Sequence, residues 1–79
     1  MKEGFIVSNK VRKTIFSAVA SGADSIEQIA KKERLMLAQA QRALKDLTDN
    51  ELIEEKDGKL RLTEEGEKTL QTMKKERMI

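Results

Sequence analysis

The chain has 79 residues, of which 38% are hydrophobic and 38% charged, and its formal net charge is +2. It contains no Cys and no His, which excludes disulfides and the usual zinc ligand sets and removes the commonest acid–base catalyst. No apolar run approaches the roughly 20 residues that span a bilayer, and the first ten residues lack the apolar stretch of a signal peptide. We therefore expect one small cytoplasmic domain without metal or cofactor.

Residues 1–7 have no clear period, and both an extended arm and an early helical turn are compatible with them. In either form they would cover the core or a partner. A helix is then predicted over residues 8–21, because apolar side chains recur there at helical spacing. Ser8 or Asn9 is expected to cap its first turn, and Gly22 supplies the left-handed residue that ends it.

Two further helices are predicted with a short connection between them. Residues 25–33 begin at Ser25, which has the capping-box spacing to Gln28. Residues 37–49 form a longer helix with one buried face. Two helices joined by so short a turn are typical of a helix-turn-helix unit. The apolar face of the longer helix consists of Leu37, Ala40, Ala43, Leu44 and Leu47.

A β-hairpin is predicted over residues 52–63. The dipeptide Asp57-Gly58 separates two alternating segments, and it is typical of a type I′ turn, in which both positions need positive φ. Leu60 and Leu62 should face the core, because a hairpin alone is barely stable.

The last helix is predicted over residues 64–75, with Thr63 as its cap and acidic residues in its first turn, where the helix dipole favours them. Leu70 and Met73 share one face of it. We interpret this face as core that also forms the seam of a homodimer, because a core of this size gains from a partner. Packing against the first helix alone is the other interpretation.

Three helices, a hairpin and a fourth helix together predict a mainly α fold with a small β-hairpin (α+β). In this interpretation the hairpin is the wing of a winged helix-turn-helix. The segments SIEQIAKKERL, AQAQRALKDLTDNELI and GKLRLTEEGEKTL resemble the winged helix-turn-helix domains of small prokaryotic transcriptional regulators of the MarR, PadR and ArsR type. The resemblance implies sequence-specific binding of double-stranded DNA. Residues 37–49 would enter the major groove, and the wing around Asp57-Gly58 would meet the backbone or minor groove.

Three features depart from the pattern of these regulators. Met36 stands where Ser or Thr usually opens the recognition helix, which removes a common phosphate contact. Glu51 precedes the wing where Gly is usual, and we expect Asn50 to take the left-handed conformation instead. The wing mixes acids with its bases, so we expect it to contribute less to DNA affinity.

Nine polar or basic residues are candidates for DNA contact, and Arg42 is the first choice among them. Glutamine pairs with adenine and arginine with guanine at base edges, whereas phosphate contacts fix orientation without reading sequence. Two basic groups precede the recognition helix: Lys10, Arg12 and Lys13, and then Lys31, Lys32 and Arg34. The nine candidates are Gln39, Gln41, Arg42 and Lys45 on the recognition helix, Lys13 and Lys32 in these basic groups, and Lys56, Lys59 and Arg61 on the wing.

Two other interpretations stay open. The same residues are also ordinary helix formers and charges of a solvated face. A winged helix that binds protein within a larger assembly is the alternative function, which the low net charge and the acids near the wing favour. An enzyme is not expected, because the adjacent acidic pairs diverge and the four glycines form no phosphate-binding loop. No small-molecule ligand is predicted.

Overall fold

The computed structural model describes residues 2–78 and contains five helices and one hairpin in that range. The predicted order of three helices, a hairpin and a further helix is confirmed, and a short additional helix precedes it. Within residues 2–78, no helix combines the length and apolar character that crossing a bilayer requires. The elements are α1 (Glu3–Val7), α2 (Lys10–Ala20), α3 (Ile26–Lys32), α4 (Leu37–Asp49), β1 (Ile53–Lys56), β2 (Lys59–Leu62) and α5 (Glu64–Lys75).

The additional helix α1 covers the core. Of the two alternatives for the first residues, the early helical turn is the one found, and Ile6 is fully buried. Arg12 of α2 holds this segment in place, because its guanidinium lies 4.1 Å from the centre of the Phe5 ring and donates a hydrogen bond to the Phe5 carbonyl oxygen. A cation over an aromatic face is attracted by the ring quadrupole.

The predicted helix caps are present at three N-termini. Asn9 accepts hydrogen bonds from the amides of Val11 and Arg12, which settles the choice between Ser8 and Asn9. Thr63 accepts from the Gly66 amide. At α3 the capping box is half formed, since the Gln28 amide donates to the Ser25 hydroxyl, which itself donates to Glu27.

The helices α2, α3 and α4 end in the same way, with a left-handed residue and two backbone bonds that close the last turn. After α2 this residue is Gly22, as predicted (φ 107°). After α3 it is Arg34, and after α4 it is Glu51 (φ 60°). The expectation that Asn50 takes the left-handed conformation is wrong: Asn50 has φ −93° and is the residue before it. Its side-chain amide donates to the Asp46 carbonyl, which holds it in that place.

The hairpin has the predicted two-residue turn. Asp57 and Gly58 have φ of 55° and 77°, and Lys56 pairs with Lys59 across the turn, as a type I′ turn requires. Leu60 is buried, and its amide donates to the Asp24 carbonyl oxygen over 2.9 Å. This bond attaches the wing to the connection between α2 and α3.

The helix α5 begins in close contact with the chain that enters the wing. A Cβ atom built on Gly66 would lie well inside van der Waals contact of the Leu52 carbonyl oxygen and 3.1 Å from its carbonyl carbon. Leu52 itself is fully buried. Gly66 is therefore a packing requirement, since only a residue without a side chain lets α5 approach this closely.

The face of α5 that carries Leu70 and Met73 belongs to the core of the single chain. The two residues are 6% and 0% exposed. A dimer seam made by these side chains is therefore a wrong prediction, because buried side chains offer a partner no surface; their placement in the core is confirmed. The core cluster is completed by Ile6, Ile15, Phe16, Val19, Ile29, Ala30, Ala40, Ala43, Leu47, Leu52, Ile53 and Leu60.

Candidate nucleic-acid interface

The helix α4 presents one face to the core and the other to solvent. It packs against α2 and α3 through Ala40, Ala43 and Leu47, which are at most 4% exposed. Two small alanines in this stripe let the neighbouring helices come close to α4. The opposite face therefore stands away from the body of the protein, where a groove of DNA could receive it.

All four candidates on α4 lie on its exposed side. Gln39, Gln41, Arg42 and Lys45 are exposed residues. Within residues 2–78, Arg42 takes part in no ion pair, so its guanidinium is available to an external acceptor. Gln39 lies on the flank of this face, on the same side of α4 as Asp46 but two turns before it.

The C-terminal half of the exposed face is electrically compensated. The Lys45 ammonium lies 2.8 Å from the Asp49 carboxylate. The hydrogen bond to Asp49 and then its negative charge raise the pKa of Lys45. Lys45 thus remains charged, but its partner carboxylate reduces the positive potential that this end of α4 presents.

The N-terminal end of α4 is apolar and exposed, which the sequence interpretation did not foresee. Met36 is 69% exposed and makes no side-chain capping bond. Leu37, predicted as part of the buried face, is 44% exposed. It lies on the flank of the stripe formed by Ala40, Ala43 and Leu47, in the first turn, where the neighbouring helices do not cover it.

The basic groups before α4 are divided between structural and solvent-exposed residues. Arg12 is turned inward: its guanidinium forms an ion pair with Asp46 of α4 at 3.2 Å. Lys13 is half-buried on α2, and Lys32 is exposed at the end of α3. Neither lysine forms an ion pair within the described part of the chain. Both candidates therefore belong to the two helices against which α4 packs.

The three candidates on the wing share its outer face. The strand register pairs Lys56 with Lys59 and Glu54 with Arg61, and these pairs lie on one side of the hairpin. Arg61 forms an ion pair with Glu54 at 2.6 Å. Lys56 and Lys59 are exposed and form no ion pair among residues 2–78. The two cations of the wing without an ion pair thus lie at its tip, on either side of the Asp57-Gly58 turn.

No group of three side chains able to hold a metal ion occurs within residues 2–78. An open groove of about 530 Å³ lies between α2 and α3 and is lined in part by Thr14, Ser17, Gln28 and Lys32. The exposed face of α4 and the tip of the wing are the two surfaces that carry most of the candidate residues.

Comparison with known proteins gives one result. The model of a family described as winged helix-turn-helix matches residues 2–79. No curated protein and no solved structure matches the chain at a significant level. The family match covers nearly the whole chain, including every element of the fold and all nine candidate residues.

Proposed function

Because the chain belongs to the winged helix-turn-helix family, we propose that it binds double-stranded DNA and reads sequence through α4. In this proposal α4 enters the major groove, and the wing tip at Lys56 and Lys59 lies against the backbone or the minor groove. The protein then acts as a transcriptional regulator of the prokaryotic kind that its sequence resembles.

The observation that carries this proposal is the exposed face of α4 around Arg42. An exposed arginine without an ion pair, next to exposed glutamines, offers the donors and acceptors that recognise guanine and adenine at base edges. The same face has its only compensated cation, Lys45, at the far end of the helix. The proposal therefore assigns base contact to Gln39, Gln41 and Arg42, and phosphate contact to Lys13 and Lys32.

The test is a titration of fluorescent duplex DNA with the purified protein. A duplex is first selected from a random pool, and the affinity of the protein is then measured at several salt concentrations. Binding should weaken as salt rises, because phosphate contacts release counterions. Arg42→Ala should cost roughly 1–3 kcal/mol and reduce the preference for the selected sequence.

Lys75→Ala is the matched control. It removes one exposed positive charge from α5, a helix that carries none of the candidates. If both variants lose the same small amount of affinity, net charge explains the binding and α4 is not the reader. If Arg42→Ala binds like the parent and keeps its sequence preference, the proposal is wrong.

A homodimer is also proposed, since two protomers would read two half-sites about 34–36 Å apart. The burial of Leu70 and Met73 means that such a dimer must use other surface. A mass measurement of the protein alone and on a selected duplex distinguishes one protomer from two.

Binding to a protein is the second candidate function, and one observation favours it. Arg12, Lys45 and Arg61 are all ion-paired with acids of the same chain, which lowers the free positive charge near α4 and the wing. A protein-binding winged helix should select no duplex from a random pool even at low salt. The DNA titration therefore decides between the two functions.

A further inference from the structure

We infer that the exposed apolar residues at the start of α4 bind the C5-methyl groups of thymines, and that they make the protein prefer A·T base pairs there. We call Met36, Leu37 and Ala38 the apolar end of α4. The inference rests on the proposed DNA binding and adds the base composition of the site.

The apolar end is unusual for the described part of the chain, where the other large apolar side chains are buried or half-buried. Within residues 2–78, Met36 and Leu37 are the exposed large hydrophobic residues, at 69% and 44%. Ala38 beside them is also exposed. Met36 further occupies the N-cap position without a capping bond, where Ser, Thr, Asp or Asn would stabilise the helix. The local choice of residues is thus unfavourable for the free protein.

The apolar end lies where a recognition helix meets base edges. In helix-turn-helix proteins the N-terminal residues of that helix contact the bases. Ala38 and Arg42 lie one turn apart on the same face, since residues i and i+4 are neighbours. The other end of this face carries the compensated pair of Lys45 and Asp49. The electrostatics therefore favour an arrangement in which the first two turns of α4 lie in the major groove.

Thymine is the base whose major-groove edge presents an apolar group. Apolar side chains accordingly contact its C5-methyl group, whereas glutamine pairs with the N6 and N7 atoms of adenine. An apolar end followed by Gln39 and Gln41 is therefore complementary to both bases of an A·T pair in the major groove: the apolar side chains to thymine and the glutamines to adenine. Arg42, one turn further on, is complementary to a guanine. The expected half-site is A·T pairs adjoining a G·C pair.

The experiment replaces thymine by deoxyuridine, which lacks only the methyl group, in a duplex selected from a random pool. Deoxyuridine (called uridine below) is placed at one position at a time, and the affinity of the protein for each duplex is measured by fluorescence anisotropy. Each contacted methyl should be worth about fourfold in affinity, from the transfer free energy of one buried carbon group. The same replacement outside the footprint of the protein is the DNA control.

The variants Met36→Gln and Leu37→Gln show whether these side chains make the contact. Both positions are exposed, so a change to glutamine leaves the core intact. The variants should bind the uridine duplex and the thymine duplex with equal affinity at the position that each side chain contacts. Lys75→Ala should keep the full fourfold difference, as the parent does.

The outcomes separate this inference from the proposed function. Failure to bind any duplex overturns the proposed function, and the inference with it. Binding without any effect of uridine, or a uridine effect that persists unchanged in both glutamine variants, overturns the inference alone. If the glutamine variants differ from the parent in oligomeric state while the uridine effect is unchanged, the apolar end contacts a second copy of the chain. That outcome also overturns the inference.

Discussion

The close approach of α5 to the entry of the wing makes Gly66→Ala the sharpest test of the packing. The added Cβ would lie much closer to the Leu52 carbonyl oxygen than van der Waals contact allows. It would also lie 3.1 Å from the Leu52 carbonyl carbon and 3.3 Å from Leu62 Cβ. The nearest obstacle is backbone, so no side-chain rotation relieves it. Either α5 or the segment at Leu52 must move, and both are fixed by the Thr63 cap and by buried neighbours.

Two opposing effects set the magnitude. Alanine is about 1 kcal/mol better than glycine inside a helix, whereas forcing an extra carbon into a packed site costs up to about 3 kcal/mol. We expect the second effect to prevail and Gly66→Ala to lose about 2 kcal/mol. That is a large share of the roughly 4–12 kcal/mol that stabilise a domain of this length, and it corresponds to a fall in Tm of roughly 8–16 °C.

Urea denaturation followed by circular dichroism measures this loss. Gly4→Ala is the control, because Gly4 is also helical and no heavy atom lies within 4 Å of a Cβ built on it. Gly4→Ala should equal or exceed the parent in stability. If Gly66→Ala is as stable as Gly4→Ala, then α5 can move away from Leu52 at no cost and our account of the packing is refuted.

Three other changes test separate features. Glu51→Gly should stabilise the protein by about 0.5–1 kcal/mol, since a non-glycine residue at positive φ costs roughly 1–2 kcal/mol. Asn50→Gly, at negative φ, should destabilise it. If urea denaturation gives the reverse result, Asn50 and not Glu51 is the left-handed residue. Arg12→Ala should lose about 2 kcal/mol with its bonds to Asp46 and the Phe5 carbonyl, and a thermal melt equal to that of the parent would contradict this. Phe16→Ala should lose roughly 3–5 kcal/mol, against a much smaller loss for Phe16→Leu in the same melts.

Local rules were sufficient for the elements whose determinants lie next to one another in the chain. The Asn9 cap, the Gly22 helix end and the Asp57-Gly58 turn each follow from the chemistry of one or two residues. The same rules failed at Glu51, because the choice between two neighbouring residues depends on the bond from Asn50 to the Asp46 carbonyl. A local pattern does not contain that geometry.

The candidate site was less predictable, since part of its electrostatics comes from a pair that is distant in sequence. Arg12 and Asp46 are separated by 34 positions, so their ion pair becomes evident only when α2 lies against α4. The exposure of Leu37 likewise depends on where the neighbouring helices end. Helical spacing places it near the apolar stripe, but spacing does not say how far a partner helix extends.

The bond from the Leu60 amide to the Asp24 carbonyl oxygen has a consequence for motion. A two-stranded hairpin in water opens readily, yet this one is tied to the connection between α2 and α3 and buries Leu60. The Leu60 amide should therefore exchange with solvent hydrogen much more slowly than the amides of a free hairpin, because opening it also requires Leu60 to leave the core. Wing and α4 would then meet DNA as one rigid unit, and binding would lose no entropy to ordering a flexible loop.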